Sequence, residues 1–308
     1  MDRNDPAAGR RPGRDRRAAP PARRRTDRIP TSAAAALRGK GTLFVIGGKE
    51  DKEGDREILK AVVSRSRGGP VVLATIASSA PDEVWEVYRD VFAELGAGPI
   101  LRLEVVDRES AFRPKVAGAL RDAGAIFFTG GDQVRITNHI GGTPVWDAIQ
   151  DSFRRGAVIA GTSAGASAMG ETMLIAGEDV QPLRIKESLH MAPGLGLMPG
   201  AIIDQHFAER ARMGRLVGAV AQNPRMLGIG IDENTAIAAR KGEFSVLGSG
   251  SVYVVDAMRE SYTNVAEAGP DDLMAVFDLR LHILSPGHRF DMTLRRPIRP
   301  RPEPVHSA

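Results

Sequence analysis

The chain has 308 residues, of which 42% are hydrophobic and 26% are charged, and its formal net charge is +4. This length and composition can supply one large hydrophobic core or two smaller ones. Because the sequence contains no cysteine, disulfides, thiolate metal sites and a cysteine nucleophile are all excluded. No apolar run reaches the roughly 18 residues that a transmembrane helix needs. The arginine-rich N-terminus also lacks the apolar segment of a secretory signal.

Positive charge is concentrated at the two ends of the chain. Residues 1–40 contain 12 Lys and Arg against 4 Asp and Glu, and residues 289–308 contain 5 against 2. The body between them, residues 41–288, is acidic, with 25 basic against 32 acidic residues. The ends are rich in arginine and proline, a composition that cannot support a packed core. We therefore predict a disordered N-terminal extension, one folded domain and a disordered tail, and we expect solvated ends that do not bind nucleic acid.

Apolar strands and amphipathic helices alternate along the first half of the body. Strands are predicted at 42–46, 71–76, 100–106, 125–129 and 157–160, and helices at 55–66, 83–95 and 114–123. In the second half, strands at 201–204 and 226–231 flank a helix at 209–221, and further strands follow at 235–239, 243–247 and 251–255. We expect the last three strands to form an antiparallel meander that closes the far side of the sheet.

This order predicts an α/β fold with three layers, α/β/α, around a mainly parallel central sheet. In such sheets the functional site lies beyond the carboxyl ends of the strands. Three predicted strands end in glycine turns, at Gly47-Gly48, at Gly130-Gly131 and at Gly161. A nucleotide-binding role for the first two turns is excluded, because neither G-x-G-x-x-G nor G-x-x-x-x-G-K-[ST] is present.

The third glycine turn, Gly161-Thr-Ser-Ala-Gly165, has the G-x-S-x-G pattern of a nucleophile elbow. Glycines on both sides of the serine allow a sharp strand-to-helix turn that exposes the hydroxyl of Ser163. Free amides at the following helix N-terminus can then stabilise a developing oxyanion. The alternative is an ordinary turn of small residues in an α/β protein.

A nucleophilic serine needs a base and an acid that orients the base. Among the six histidines, only His206 stands just past the end of a predicted strand; the alternative is a hydrogen-bonded surface histidine. Asp232 and Glu233 also follow a strand, and spacing alone leaves open which of them orients the histidine. The amides of Gly131 and Ala164 are the expected oxyanion donors. The order serine, histidine, acid argues against the α/β-hydrolase fold.

Five segments in this order resemble the cyanophycinases. They are Phe128-Thr-Gly-Gly-Asp-Gln133, Gly161-Thr-Ser-Ala-Gly-Ala-Ser167, Met191-Ala-Pro-Gly-Leu-Gly-Leu197, Ile203-Asp-Gln-His-Phe207 and Leu227-Gly-Ile-Gly-Ile-Asp-Glu-Asn-Thr-Ala236. The resemblance covers about residues 41–260. It implies a serine hydrolase of the dipeptidase E clan with a fold similar to the class I glutamine amidotransferases.

The resemblance also implies a substrate and roles for individual residues. Cyanophycinases cut cyanophycin, a poly-aspartate whose β-carboxyls each carry an arginine, and release β-Asp-Arg dipeptides. By motif, Ser163 is then the nucleophile, His206 the base and Glu233 the orienting acid, with no metal or cofactor. The residues implied to line the substrate pocket are Gln133, Asp204, Arg210, Arg212 and Arg215. A homodimer in the cytoplasm is also expected.

Two other functions are compatible with the same motifs. An aspartyl dipeptidase that cuts free Asp-X peptides would share the elbow, although the combination of Asp204-Gln205-His206-Phe207 with nearby arginines is not expected in it. A catalytically silent binding protein would share the scaffold. In such a protein we would expect the motifs around Ser163, His206 and Glu233 to have decayed, yet all three residues are present.

Overall fold

A computed structural model describes residues 41–176, 189–257, 261–269 and 272–299. The predicted extension at residues 1–40 and the end of the predicted tail, residues 300–308, lie outside these described residues. Within the described part of the chain, no helix combines the length and apolarity that crossing a bilayer requires.

The described helices, in chain order, are α1 (Glu57–Ser66), α2 (Pro81–Glu94), α3 (Pro114–Gly118), α4 (Gln133–Ile140), α5 (Pro144–Arg155), α6 (Ala164–Ser167) and α7 (Met213–Gln222). The described strands are β1 (Thr42–Ile46), β2 (Val71–Ala74), β3 (Ile100–Arg102), β4 (Ala125–Phe128), β5 (Val158–Thr162), β6 (Gly170–Ala176), β7 (His190–Pro193), β8 (Met198–Gln205), β9 (Leu227–Ile231), β10 (Thr235–Arg240), β11 (Glu243–Gly248), β12 (Val252–Asp256), β13 (Tyr262–Thr263), β14 (Val276–Phe277), β15 (Arg280–Leu284), β16 (Arg289–Asp291) and β17 (Arg296–Ile298).

The first sheet contains nine of the described strands, in the order β17-β16-β11-β10-β1-β5-β4-β2-β3. The adjacent strands β1, β5, β4, β2 and β3 run parallel to one another. The other four, β10, β11, β16 and β17, are each antiparallel to their neighbours. The parallel part is the predicted βα alternation, and its strands β2, β4 and β5 are buried on both faces, as their nearly continuous apolar sequences require. In the register of β1 with β5, Ile46 stands opposite Thr162, so both glycine-rich ends reach the same edge.

Helices cover both faces of this sheet, which confirms the three-layer architecture. Phe44 and Ile46 pack with α1 and α2 on one face, whereas Leu43 and Val45 pack with α4 and α5 on the other. Successive strand residues point to opposite faces, so a short apolar strand can bind both helical layers.

A second, six-stranded sheet has the order β15-β12-β9-β8-β6-β7, with β9, β8 and β6 parallel. Helix α7 packs on one face, where Leu216 and Val220 contact the cluster around Ile202. The other face contributes Ile203 and Ile229 to the large core that it shares with the first sheet. The expected meander is therefore wrong in one respect, because β10 and β11 extend the first sheet while β12 pairs with β9 in the second.

The chain stays ordered beyond residue 288, which corrects the predicted boundary of the tail. Strand β16 pairs with β11, and β17 pairs with β16. Phe290 is fully buried and stacks on Phe244 with ring centroids 5.4 Å apart. Arg295 is buried too, and its Nη1 lies 2.5 Å from Asp256 Oδ1. The prediction rested on the arginine-rich composition of this segment. It overlooked the few apolar side chains that pack the segment against the domain.

Some predicted elements are shorter in the structure. The strand predicted at 100–106 ends at Arg102, and a turn follows at Asp107, whose Oδ1 accepts the Ser110 amide at 2.8 Å. The helix predicted at 209–221 begins only at Met213. Ahead of it the chain forms successive turns, and Ala211 has a left-handed φ of 51° that a helix does not accommodate.

Candidate active site

The elbow at Ser163 joins β5 to the short helix α6 in a strained turn. Ser163 has φ 53° and ψ −110°, outside the regions that L-residues prefer. Its amide donates to the Ile46 carbonyl at 3.0 Å, which ties the turn to β1. The two flanking glycines are needed for space: an added Cβ would stand 2.5 Å from the Gly165 carbonyl oxygen at Gly161, and 2.5 Å from the Phe128 carbonyl oxygen at Gly165.

Three residues from three strand ends form one chain of hydrogen bonds. Ser163 Oγ lies 2.9 Å from His206 Nε2, and His206 Nδ1 lies 2.7 Å from Glu233 Oε1. Since a carboxylate only accepts, Nδ1–H donates to Glu233 and Nε2 is left to accept the serine proton. Ser163 follows a strand of the first sheet, whereas His206 and Glu233 follow β8 and β9 of the second, so the site forms where the two sheets meet.

The histidine is held closely by its surroundings. Its amide donates to the Gly47 carbonyl at 2.8 Å, and its φ of 47° is again left-handed. Gly48 leaves room for the imidazole ring, because an added Cβ there would stand 2.3 Å from His206 Cε1. The imidazole ring of His206 therefore packs directly against the first glycine turn. A side chain at residue 48 would clash with the ring.

Glu233, and not Asp232, contacts the histidine. Asp232 points away and joins two loops, since its Oδ1 accepts the Ala208 amide at 2.9 Å and its Oδ2 accepts the Ser251 amide at 3.0 Å. The two carboxylates leave the end of β9 in different directions, as neighbours on an extended chain do. The choice that spacing left open is thus decided by side-chain direction.

The electrostatic environment favours a neutral base beside an ionised acid. Burial lowers the pKa of His206 below its ordinary value, and the nearby Arg210 and Arg212 cations lower it further, against the opposing effect of Glu233. Burial would raise the pKa of Glu233, but hydrogen bonds from Lys49 and His206 outweigh it and lower that pKa overall. His206 is therefore ready to accept a proton at neutral pH.

The second glycine turn lies beside the nucleophile. An added Cβ at Gly130 would stand 3.5 Å from the Ser163 Cβ. Gly131 has φ 138°, and a Cβ there would meet the Ala77 carbonyl oxygen at 2.0 Å, so residue 131 must be a glycine. Neither the Gly131 amide nor the Ala164 amide has a hydrogen-bond acceptor within the part of the chain that the structure describes. Their role as oxyanion donors stays a prediction.

Four of the five residues predicted to line the pocket are buried and already engaged with protein groups. Gln133 Nε2 donates to the Leu174 carbonyl at 2.7 Å. Asp204 accepts two bonds from Arg215, from Nε at 2.7 Å and from Nη2 at 2.5 Å, in a bidentate pair. Arg212 Nη1 donates to the Gln205 carbonyl at 2.7 Å and lies 3.4 Å from Asp204 Oδ1. This buried charge network underlies the strand end that carries His206.

Arg210 is the exception among the three arginines, because it is exposed. Its amide donates to the His206 carbonyl at 3.1 Å, which places it next to the base. A second cation, Lys49, lies on the other side with its side chain 71% exposed and its Nζ 3.0 Å from Glu233 Oε1. Two exposed cations thus lie near His206 and Glu233, together with the exposed Glu209, whose Oε1 accepts the Glu233 amide at 3.2 Å.

The interpretation of the sequence missed Lys49, Glu50 and Thr162. Lys49 and Glu50 directly follow the first glycine turn, and Thr162 directly precedes the nucleophile. Two charged residues right after a strand-ending glycine pair were a usable signal, since parallel strand ends gather at the functional edge. Their partners come from distant segments and only the folded chain shows them.

A serine that is activated through a neutral histidine and an ionised carboxylate is suited to acyl transfer, and on this α/β scaffold it defines a serine peptidase. Comparison with known families agrees with this class. The model described as "Peptidase family S51" matches residues 43–247. The chain belongs to peptidase family S51.

Curated relatives and one solved structure support this assignment. The chain is 41% identical to a cyanophycinase of Trichormus variabilis over 260 residues. This alignment covers 83% of this chain and 87% of that protein. It is 37% identical over 263 residues to a cyanophycinase of Geminocystis herdmanii, covering 84% and 96%. The crystal structure of a peptidase from an acI-B1 actinobacterium has the same fold, with a TM-score of 0.60 at 21% identity over 82% of this chain and 96% of that one.

Proposed function

We propose that this peptidase is a serine exopeptidase that hydrolyses the poly-aspartate backbone of cyanophycin and releases β-Asp-Arg dipeptides. The observation that carries the chemistry is the continuous chain of hydrogen bonds from Ser163 through His206 to Glu233. The substrate is supported by the relatives named cyanophycinase and by the exposed cations Lys49 and Arg210 near the triad.

In the proposed reaction, Ser163 Oγ attacks the peptide carbonyl between two backbone aspartates while His206 Nε2 takes its proton. The carboxylate of Glu233 stabilises the imidazolium that forms. The hydrogen bond from Nδ1 to Glu233 also fixes the orientation of the ring. His206 then gives the proton to the leaving amine, and an acyl-enzyme forms on Ser163. Water attacks this ester with His206 again as the base, and the serine recovers its proton.

The tetrahedral oxyanion would be bound by the amides of Gly131 and Ala164. Both belong to turns in which added side chains would clash, and the Gly130 side of the second turn directly borders Ser163. Amides that are fixed before the reaction stabilise developing charge without reorganisation, and one such donor contributes about 10²- to 10³-fold in kcat.

Substrate recognition is divided between direct contact and support. Arg210 is exposed beside His206 and is suited to bind a free carboxylate of the polymer through bidentate hydrogen bonds. Asp204, Arg212 and Arg215 are buried against one another, so we assign them to the wall of the predicted pocket, where they hold its shape. Gln133 completes that wall through its bond to the Leu174 carbonyl.

The decisive experiment is incubation of the enzyme with purified cyanophycin and mass analysis of the products. We expect β-Asp-Arg and its loss in Ser163→Ala. Preferential cleavage of Asp-Leu over the polymer would point to an aspartyl dipeptidase instead. Failure of a fluorophosphonate probe to label the wild-type protein would point to a silent binding protein.

We also propose a homodimer located in the cytoplasm, as the resemblance to cyanophycinases implies. Light scattering coupled to size-exclusion chromatography gives the mass in solution, and a mass near 33 kDa, that of one chain, would contradict the dimer. Cell fractionation tests the location.

A further inference from the structure

Behind the nucleophile lies a buried carboxylate that the reaction scheme does not use. Glu50 follows Lys49 at the end of β1, and only 1% of its side chain is exposed. Burying a charge is costly unless it is paired and hydrogen-bonded. Such a group at a catalytic edge therefore calls for a specific role.

Glu50 uses its two carboxylate oxygens for different partners. Oε2 accepts the hydroxyl of Thr162, with Oγ1 at 2.5 Å. Oε1 accepts the hydroxyl of Tyr88 and lies 3.1 Å from Lys52 Nζ. Lys52 also stands 5.0 Å from the centre of the Tyr88 ring. Tyr88 of α2 and Lys52 thus contact one carboxylate oxygen of Glu50, and Thr162 donates its hydroxyl to the other.

Thr162 is the last residue of β5 and is bonded covalently to Ser163. The strand that leads into the elbow pairs with β1 as far as Thr162, and the Ser163 amide donates to the Ile46 carbonyl at 3.0 Å. A residue in a sparsely populated φ/ψ region keeps that conformation only where its surroundings enforce it. The bond from Thr162 to Glu50 adds a side-chain tie to a carboxylate on the same short turn.

We infer that Glu50 is a positioning residue that acts through Thr162 to hold the strained nucleophile elbow with Ser163 Oγ aligned to His206. It touches neither the substrate nor the reacting atoms. The inference rests on Ser163 being the nucleophile of the proposed function. It adds a residue whose charge supports the reaction from behind the turn.

The test compares Thr162→Val with Thr162→Ser. Valine keeps the shape of threonine but cannot donate to Glu50, whereas serine keeps the hydroxyl. Because small misplacements of a nucleophile cost about 10²-fold, we expect kcat on cyanophycin to fall about 10- to 100-fold in Thr162→Val with KM nearly unchanged. Fluorophosphonate labelling of Ser163 should slow by a similar factor. Thr162→Ser should remain within about threefold of wild type in both measurements.

A matched control separates positioning from general stability. Thr143 is equally buried and lies outside the elbow, where its hydroxyl caps the N-terminus of α5 and donates to the Ile140 carbonyl at 2.7 Å. Thr143→Val should lower the melting temperature, as loss of a cap does, and leave the labelling rate of the folded enzyme unchanged. Glu50→Gln is the second variant, and it should slow labelling in protein whose circular dichroism is that of wild type.

Two results would overturn the inference. One is labelling of Ser163 at the wild-type rate in folded Thr162→Val and Glu50→Gln. The other is an equal loss of rate in Thr162→Ser and Thr162→Val. The proposed substrate is tested separately, because a wild-type enzyme that labels normally but leaves cyanophycin intact refutes the substrate and still reports on Glu50.

Discussion

Glu233 presents a single carboxylate oxygen to His206, with Oε1 2.7 Å from Nδ1. Lys49 Nζ approaches the same oxygen at 3.0 Å, so the carboxylate that contacts the histidine is itself held by a cation. This arrangement keeps Glu233 ionised and aims the other nitrogen of the imidazole at Ser163. The catalytic chain therefore depends on a contact between residues that follow β8 and β9.

The contact predicts unequal effects for the two neighbouring acids. Glu233→Gln removes the charge that stabilises the imidazolium and favours the wrong tautomer, so we expect kcat to fall on the order of 10⁴-fold. Asp232→Asn loses one of two loop contacts and should cost about 1–3 kcal/mol of stability with activity within tenfold of wild type. Steady-state kinetics and urea unfolding of both variants check this. Equal losses of kcat would contradict the assignment of the acid.

Removal of the nucleophile should abolish turnover without unfolding the protein. In Ser163→Ala we expect kcat to fall by about 10⁶-fold, as in other enzymes of this type, and fluorophosphonate labelling to disappear. Ser167→Ala is the matched control, since Ser167 is a buried serine of the same short helix α6. It should be labelled at nearly the wild-type rate. Release of β-Asp-Arg by Ser163→Ala at the wild-type rate would refute the mechanism.

The pH dependence follows from the lowered pKa of His206. Only neutral imidazole accepts the serine proton, so labelling of Ser163 should increase with pH through the pKa of His206. Because burial and the nearby arginines lower that pKa below its ordinary value, the midpoint of the acid limb should lie at a lower pH than for an unperturbed histidine.

Arg210→Gln tests the cause of this shift. It removes a cation that lowers the pKa of His206, so the acid limb should move to higher pH. Arg240→Gln, at an exposed arginine on β10, should leave the limb unchanged. The rate of fluorophosphonate labelling across a pH series measures both variants without interference from cyanophycin binding. An unchanged limb in Arg210→Gln would show that Arg210 does not act on the base.

The C-terminal hairpin of β16 and β17 should contribute substantially to stability. Phe290→Ala removes a fully buried ring that stacks on Phe244 and should cost about 3–5 kcal/mol. Leu294→Ala, in the same hairpin but 57% exposed, should change stability by no more than about 0.5 kcal/mol. Urea unfolding measures both. Truncation after residue 288 should destabilise the enzyme strongly. Equal stability of the truncated and full chains would instead support the domain boundary at residue 288 that the composition predicted.

Much of the fold followed from local patterns. The apolar runs at β1, β2, β4 and β5 and the amphipathic spacing of α1 and α2 indicated a covered parallel sheet, and the structure has one. Such patterns are readable because strand and helix periodicity, glycine turns and burial on both faces are properties of neighbouring residues. The same local chemistry singled out Ser163 and His206 at the ends of their strands.

Other features needed contacts between distant residues. Strands β10, β11 and β12 look alike in sequence, yet they divide between two sheets because their pairing partners, β1 and β9, lie elsewhere in the chain. In the sequence, nothing distinguishes Arg210, Arg212 and Arg215 as exposed or buried. Only the fold buries two of them against Asp204 and leaves Arg210 exposed beside His206.

By itself, the sequence determined the class of fold, the absence of a thiol nucleophile and the elbow that carries Ser163, since these depend on composition and on short-range backbone geometry. The tertiary structure alone decided that Glu233 and not Asp232 contacts His206, that Glu50 accepts a hydrogen bond from Thr162, and that residues 289–298 add two strands to the first sheet. Side-chain direction and strand pairing are set by packing between segments far apart in the chain. His206 lies 43 residues from Ser163 and 27 from Glu233, and no local pattern spans such distances.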